Sequence, residues 1–303
     1  MSFKPLMNAS RGTSFSARHA EPITGYLFLL PDFLGLLIFL IIPIGYAFLI
    51  SLHDWNGLSS MRWNGLDNYV KLFSDSQFWD SLKITGIYTL IYVPVLYAVS
   101  LGLALLVNQR LPFMRFFRTI FFVPVVLSLV VSSLMWKYIF DERSGLLNFL
   151  IGFLGIQPQP WLGSVQLALP SIIVVSVWIQ MGYFMVIFIA GLQDIPREYY
   201  EAARIDGANR WQMFLRITLP VLKPTSLFVI VISLIASFQV FDQVWVMTKG
   251  GPARATEVTA LYIYQQAFQY LNLGYGSAVA FVLFVVILSF SLIQFRLLRT
   301  DRS

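Results

Sequence analysis

Residues 27–51 read LFLLPDFLGLLIFLIIPIGYAFLIS, with Asp32 the one charged side chain. A helix rises about 1.5 Å per residue, so roughly 20 apolar residues cross a hydrocarbon core of about 30 Å. This stretch is long enough to cross. It is too long for the core of a cleaved signal, and no convincing small-residue cleavage site follows it. Five more stretches qualify on the same ground: Ile84–Val107, Thr119–Ile139, Leu167–Ala190, Thr225–Phe241 and Gly276–Phe295. The fifth is short, and Leu219–Leu222 could extend it across Lys223 and Pro224. The expectation is an all-α membrane protein with six transmembrane helices.

Composition points the same way: 57% of the residues are hydrophobic, 12% are charged, and mean hydropathy is +0.72. A soluble domain carries about 25% charged residues, so this chain needs lipid for a solvent. There is no cysteine, and His19 and His53 are the only histidines. Disulfides, thiolate chemistry and a histidine-rich metal site are thereby excluded.

Lysine and arginine set the orientation, because cytoplasmic loops carry their excess. Fourteen fall in the N-terminal tail, loops two and four and the C-terminal tail; seven fall in loops one, three and five. Both termini are therefore expected in the cytoplasm. The net charge of +6 marks the inner face of a membrane rather than a nucleic-acid partner. The chain divides into a tail (1–26), a six-helix domain (27–298) containing a cytoplasmic loop (191–224), and a short tail (299–303).

Loops one and five are rich in aromatic residues, which suit either packing on lipid or docking of an external partner. In loop five Lys249-Gly250-Gly251-Pro252 reads as a tight turn. Thr256 is placed to cap a helix, and Leu261, Tyr264, Phe268 and Leu271 recur at the spacing of an amphipathic helix on the outer interface. Loop two alternates Arg110, Arg115 and Arg118 with aromatic residues, as a snorkelling elbow would.

Loop four differs from the rest. Between Gln193 and Pro224 it holds nine charged residues. Pro196 suits a first helical turn with Asp194 beside it as a cap. Asp206-Gly207 then breaks the helix, since glycine takes the left-handed conformation that ends helices. A second helix follows, with Trp211, Phe214, Leu215 and Thr218 on one face. Two short helices joined at a glycine elbow suit the passing of motion from a soluble partner into the membrane.

The run Glu201-Ala202-Ala203-Arg204-Ile205-Asp206-Gly207-Ala208, followed by Trp211, Phe214, Ile217 and Leu219-Pro220, resembles the EAA loop of permease subunits of binding-protein-dependent ATP-binding-cassette (ABC) importers. Thr248-Lys249-Gly250-Gly251-Pro252, Tyr262–Phe268 and Gly274–Ala278 are similar to the carbohydrate-uptake branch, in particular its first-permease type, the relatives of maltose and glycerol-3-phosphate permeases. The likeness covers roughly residues 25–298. It implies a type I permease fold in a prokaryotic inner membrane, with a second homologous permease, two cytoplasmic ATPase subunits and an extracytoplasmic solute-binding protein. It also implies that Glu201, Ala202, Ala203, Asp206 and Gly207 couple to the ATPase. The sequence has no G-x-x-x-x-G-K-[ST] phosphate loop, so ATP and Mg²⁺ are expected on the partner and the chain itself is not expected to be an enzyme.

A sugar route needs hydrogen-bonding groups and aromatic faces inside the membrane. Spans four and five offer Trp178, Gln180, Tyr183, Ser233, Ser237 and Gln239. Such residues also serve helix association. An ion-coupled secondary transporter or channel is the rival reading, but it calls for ionisable groups at mid-membrane, and here the charges lie in loops. An intramembrane enzyme lacks a Ser/Lys, His/Asp or Asp/Asp constellation at one depth.

Overall fold

A computed structural model describes residues 27–109 and 112–299; both expected tail ends and Arg110 lie outside the described residues. The first long helix, α1 (Leu27–Ser51), leads into a small hairpin of β1 (His53–Asp54) against β2 (Arg62–Trp63). Then come α2 (Asp67–Ser74), α3 (Ser76–Val107), α4 (Met114–Val126), α5 (Leu129–Ile139) and α6 (Leu146–Gly152). The second half holds α7 (Ala168–Gln193), α8 (Arg197–Ile205), α9 (Arg210–Val221), α10 (Lys223–Phe238), α11 (Asp242–Met247), α12 (residues 259–269) and α13 (Leu273–Arg299).

Four of these, α1, α3, α7 and α13, are long and apolar enough to cross a bilayer unbroken. Two other expected spans are not straight. The third is broken into α4 and α5, which meet at 101°. Pro124 sits in the last turn of α4 and removes one ladder hydrogen bond, and Leu127 and Ser128 are extended, with ψ of 147° and 134°. The expected extension of the fifth span through Leu219–Leu222 does not occur either. The chain bends by 67° between α9 and α10. Leu222 lies between Pro220 and Pro224 there, and neither proline can donate to the helical ladder.

The order of burial differs sharply along the chain. In its most apolar window α7 is 61% buried and α1 only 6%. The core therefore forms around α7, packed against α3 and α4, with α10 on α3, while α1 leans mainly on α13. Tyr88, Leu96, Ile172, Val175, Phe184, Met185, Phe188 and Val229 fill this core. At Gly182 the backbones of α7 and α4 touch: a Cβ there would lie 2.1 Å from the Phe121 carbonyl oxygen.

A second, smaller core (Leu72, Phe78, Tyr262, Tyr275, Val279) clasps loop five onto the start of α3. One Asp75 carboxylate oxygen accepts from the Gln77 N–H and caps α3; the other accepts from the hydroxyls of Tyr262 and Tyr275. Gln77 Nε2 donates to Glu257 Oε1 at 2.9 Å, and Thr85 Oγ1 accepts the Thr259 N–H at 2.8 Å. Loop five is thus folded inward. Leu261 and Tyr262 are fully buried while Phe268 and Leu271 are exposed, so the expected amphipathic helix is tucked into the protein at its start and open only at its end. Thr256 does not cap it; its Oγ1 donates to the Gly251 carbonyl and holds the 249–252 turn closed.

Partial burial pushes the Asp75 carboxyl up, but the tyrosine and backbone hydrogen bonds outweigh it and hold the group below the ordinary carboxylate value. Burial pushes Glu257 up against the pull of Gln77 and Arg254. Asp75→Ala is expected to lower stability by about 1–3 kcal/mol, towards the low end because the carboxylate is partly solvated. A lowered folded pKa gives stability that is present above the ordinary value and lost as pH falls through the lowered one. Melting curves in detergent should therefore show the variant's deficit at pH 7 and its narrowing in acid.

Candidate functional site

Loop four forms a helix–turn–helix of α8 and α9. Among the described residues of α8 none is buried. Pro196 occupies the cap position rather than the first turn, and Asp194 makes no side-chain cap; its backbone closes the end of α7 instead. At the other end Gly207 takes φ +80°, as expected for the elbow. Its N–H donates to Arg204 O at 3.1 Å and the Ala208 N–H to Ala203 O at 2.9 Å, which satisfies carbonyls at the helix end. The second helix starts on a capping box: Asn209 Oδ1 accepts the Gln212 N–H, and Gln212 Oε1 accepts the Asn209 N–H, both at 2.9 Å.

The hairpin is fixed to the membrane domain from beneath. Tyr200, Phe214 and Ile217 pack on the central core, and within the hairpin the hydroxyls of Tyr200 and Thr218, 2.9 Å apart, tie α8 to α9, with Met213 and Thr218 buried. This is not the face expected from the sequence, because Trp211 and Leu215 point outward. A π-turn over Phe214–Thr218 adds a residue to one turn and rotates the pattern. The upper face carries Glu201, Ala202, Asp206 and Gly207 in the open, with Ala203 half-buried. Ile205 at 87% and Trp211 at 66% exposure stand beside them. Ala203, Asp206, Gly207, Met213 and Arg216 border a notch of about 360 Å³ between the two helices. The face is charged at its edges, apolar at two prominent points and indented between, as a docking surface is.

The intramembrane residues separate into two groups. Gln180 and Gln239 line one recess of about 180 Å³, together with Tyr88, Tyr92, Ser176 and Asp242. The Tyr88 and Tyr92 rings stack at 5.3 Å. The other four residues do not line it. Trp178 packs edge-on to Trp136, and Tyr183 is half-exposed against Phe184. Ser233 Oγ donates to the Ile230 carbonyl, and Ser237 Oγ lies 2.7 Å from the Leu234 carbonyl and 2.9 Å from Thr89 Oγ1, tying α10 to α3. Sequence reasoning did not pick out Tyr88, Tyr92 and Asp242. Two tyrosines one helical turn apart in an apolar span were the available signal, but only the packing of α3 on α7 and α10 shows that they share a cavity with the glutamines.

Comparison with known proteins follows the same outline. The chain is 38% identical over 281 residues to the probable ABC transporter permease protein YesP of Bacillus subtilis, covering 91% of this chain and 90% of that one. It is 35% identical over 289 residues to the trehalose/maltose transport system permease protein MalF of Thermococcus litoralis, covering 94% and 97%. A chain of a bacterial ABC transporter involved in the import of the acidic polysaccharide alginate superposes with a TM-score of 0.82 at 25% identity, covering 94% of this chain and all of that one. The same kind of transporter, in complex with its alginate pentasaccharide-bound periplasmic protein, gives a TM-score of 0.79 over 92% and 95%. These likenesses establish a type I ABC permease fold. Residues 98–300 match the family described as binding-protein-dependent transport system inner membrane component, and this chain is a multi-pass member of that family.

Proposed function

We propose that the chain forms half of the translocation path of an ATP-driven sugar importer. The observation that carries this reading is the exposed α8–α9 face, whose two helices are tied together by Tyr200–Thr218 and packed on the central core through Tyr200, Phe214 and Ile217. A surface so placed transmits force: whatever moves it moves α7, which bears Gln180, and α10, whose C-terminal cap is Gln239. Glu201, Ala202, Ala203, Asp206 and Gly207 are the contact with one of two cytoplasmic ATPase subunits, which hold the ATP and Mg²⁺. A second homologous permease supplies the other wall of the path. The sugar class follows from the relatives named for trehalose/maltose and alginate, and from a recess that offers three carboxamides (Gln180, Gln239 and Gln243) and two phenol rings. Hydroxyl-rich solutes pair with amides of this kind and stack on aromatic faces. The test is co-purification of an ATPase with the tagged chain, and ATP-dependent sugar uptake by vesicles containing both. Uptake driven by an ion gradient without ATP would instead favour a secondary transporter.

In this reading the bent pair α4–α5 is one crossing and α10 is another, with α9 remaining on the cytoplasmic side, giving six spans with both termini in the cytoplasm. Reporter fusions after Asp141 and after Pro196 are expected to read outside and inside respectively. The reverse result would overturn the orientation.

Loop one and residues 250–274 form the outer surface that meets a solute-binding protein. The clasp around Asp75 supports this, because it gives the two loops one rigid outline. Cysteines placed at Leu58, Trp63 and Phe268, all well exposed, are expected to crosslink to the binding protein in the reconstituted importer. If none does, those residues face lipid only.

A further inference from the structure

Between α5 and α7 the chain reads GLLNFLIGFLGI over residues 145–156, without a charged side chain. Helix α6 and the turn after it present Leu146, Phe149, Leu150, Phe153 and Leu154. Their spacing of i, i+3, i+4, i+7, i+8 puts them on one helical face. All five are between 51% and 77% exposed. The opposite side is held down. Leu147 packs on the central core, and Asn148 is buried with its amide fully used. Asn148 Nδ2 donates to the carbonyls of Glu142 (3.0 Å) and Gln159 (2.9 Å). Its Oδ1 accepts from the Gln159 N–H (3.0 Å) and from Trp161 Nε1 (2.8 Å). The asparagine therefore decides that the hydrocarbon face points away from the protein.

A contiguous exposed face of this kind marks an interaction surface, and its chemistry selects the partner. Protein–protein interfaces carry about one hydrogen bond per 100–200 Å², whereas none of these five side chains has a donor or an acceptor. A partner that came and went would also leave Phe153 and Leu154 in water for part of each cycle. Lipid is always present and asks for no hydrogen bond. The location fits as well. Helix α6 contacts α5, whose outward side chains Val130, Val131 and Leu134 are themselves apolar and exposed. Tyr138, 71% exposed at the end of α5 next to this turn, is an amphipathic aromatic of the type that gathers at the headgroup level. We propose that residues 146–154 lie flat in the headgroup region of the bilayer as an interfacial anchor, and that this anchor fixes the depth of the α5–α7 connection. The inference needs only that the chain spans a membrane and does not depend on the cargo or the energy source.

The chain has no cysteine, so nitroxide labels can be attached one at a time. The full-length chain, with the subunits that co-purify with it, is reconstituted in phosphatidylcholine–phosphatidylglycerol vesicles after Leu150→Cys, Phe153→Cys or Ser144→Cys substitution and labelling. Spin labels at 150 and 153 are expected to collide several-fold more with oxygen than with a water-soluble nickel chelate, and the label at 144 to show the reverse. Leu154→Cys repeats the measurement on the same face should either label disturb the turn. Labels at 150, 153 and 154 that favour the nickel chelate would place the face in water. Labels that are immobile and closed to both reagents would place it under a protein. Either result overturns the anchor.

Discussion

Gly207→Pro is expected to abolish ATP-coupled uptake while the membrane domain still inserts and packs. Proline fixes φ near −65°, whereas the elbow between α8 and α9 holds residue 207 at +80°. The substitution also removes the N–H that bonds Arg204 O. Nothing lies within 4 Å of a Cβ built at this position, so the penalty comes from backbone conformation and not from collision. Gly207→Ala, which costs about 1–2 kcal/mol for left-handed geometry, should then give a partial defect of the same kind. Glu201→Lys separates docking from geometry. Glu201 is exposed and in no helix-capping contact, so reversing its charge leaves the fold alone. A charge-assisted hydrogen bond to the ATPase contributes about 1.5–3 kcal/mol, and its loss should weaken subunit attachment roughly tenfold to a hundredfold. Pull-down of the ATPase and substrate-stimulated ATP hydrolysis measure both variants. Normal transport and coupling in Gly207→Pro and Glu201→Lys would reduce loop four to a passive connector.

Gly182→Leu should be the most damaging change inside the membrane. A Cβ at 182 would sit 2.1 Å from the Phe121 carbonyl oxygen and 2.9 Å from Phe122 Cα. These are backbone atoms of α4, so no side chain can swing aside to make room. Small residues at such crossings let helices approach within van der Waals contact of their backbones. Overpacking typically costs about 1–3 kcal/mol and more when the backbone itself must shift. A leucine would push α4 off α7, the most buried helix. We expect little monodisperse protein and a markedly lower melting temperature. Gly86→Ala on α3, where a Cβ meets nothing within 4 Å, is the control. It should be neutral or slightly stabilising, since alanine is the better helix former. Equal melting of Gly182→Leu and wild type would mean that the two backbones are not in contact.

The solvent, the helical class and the position of the charged loop-four hairpin are legible in the residues alone. All three depend on local properties: run lengths of apolar residues, the pairing of low charge with high hydropathy, and a glycine whose left-handed conformation follows from Asp206-Gly207 ending a helix. Everything else depends on the relative placement of distant segments. The breaks at Leu127–Ser128 and at Leu222 lie inside runs that hydropathy reads as continuous, because a proline changes direction without changing polarity. The π-turn over Phe214–Thr218 shifts the helical phase between Trp211, which is exposed, and Thr218, which is buried, and no periodicity count anticipates it. Loop five looked like a surface helix because its pattern is amphipathic. It folds inward because Asp75, 187 positions before Tyr262 and 200 before Tyr275 in the chain, supplies the acceptor that makes burial of their hydroxyls tolerable. Gln180 and Gln239 were recognisable as polar groups in apolar spans. Whether such a group faces a cavity, as they do, or ties two helices together, as Ser237 does to Thr89, depends on which helix stands opposite. That is fixed by the close approach of α4, α7, α3 and α10, and no single span encodes it.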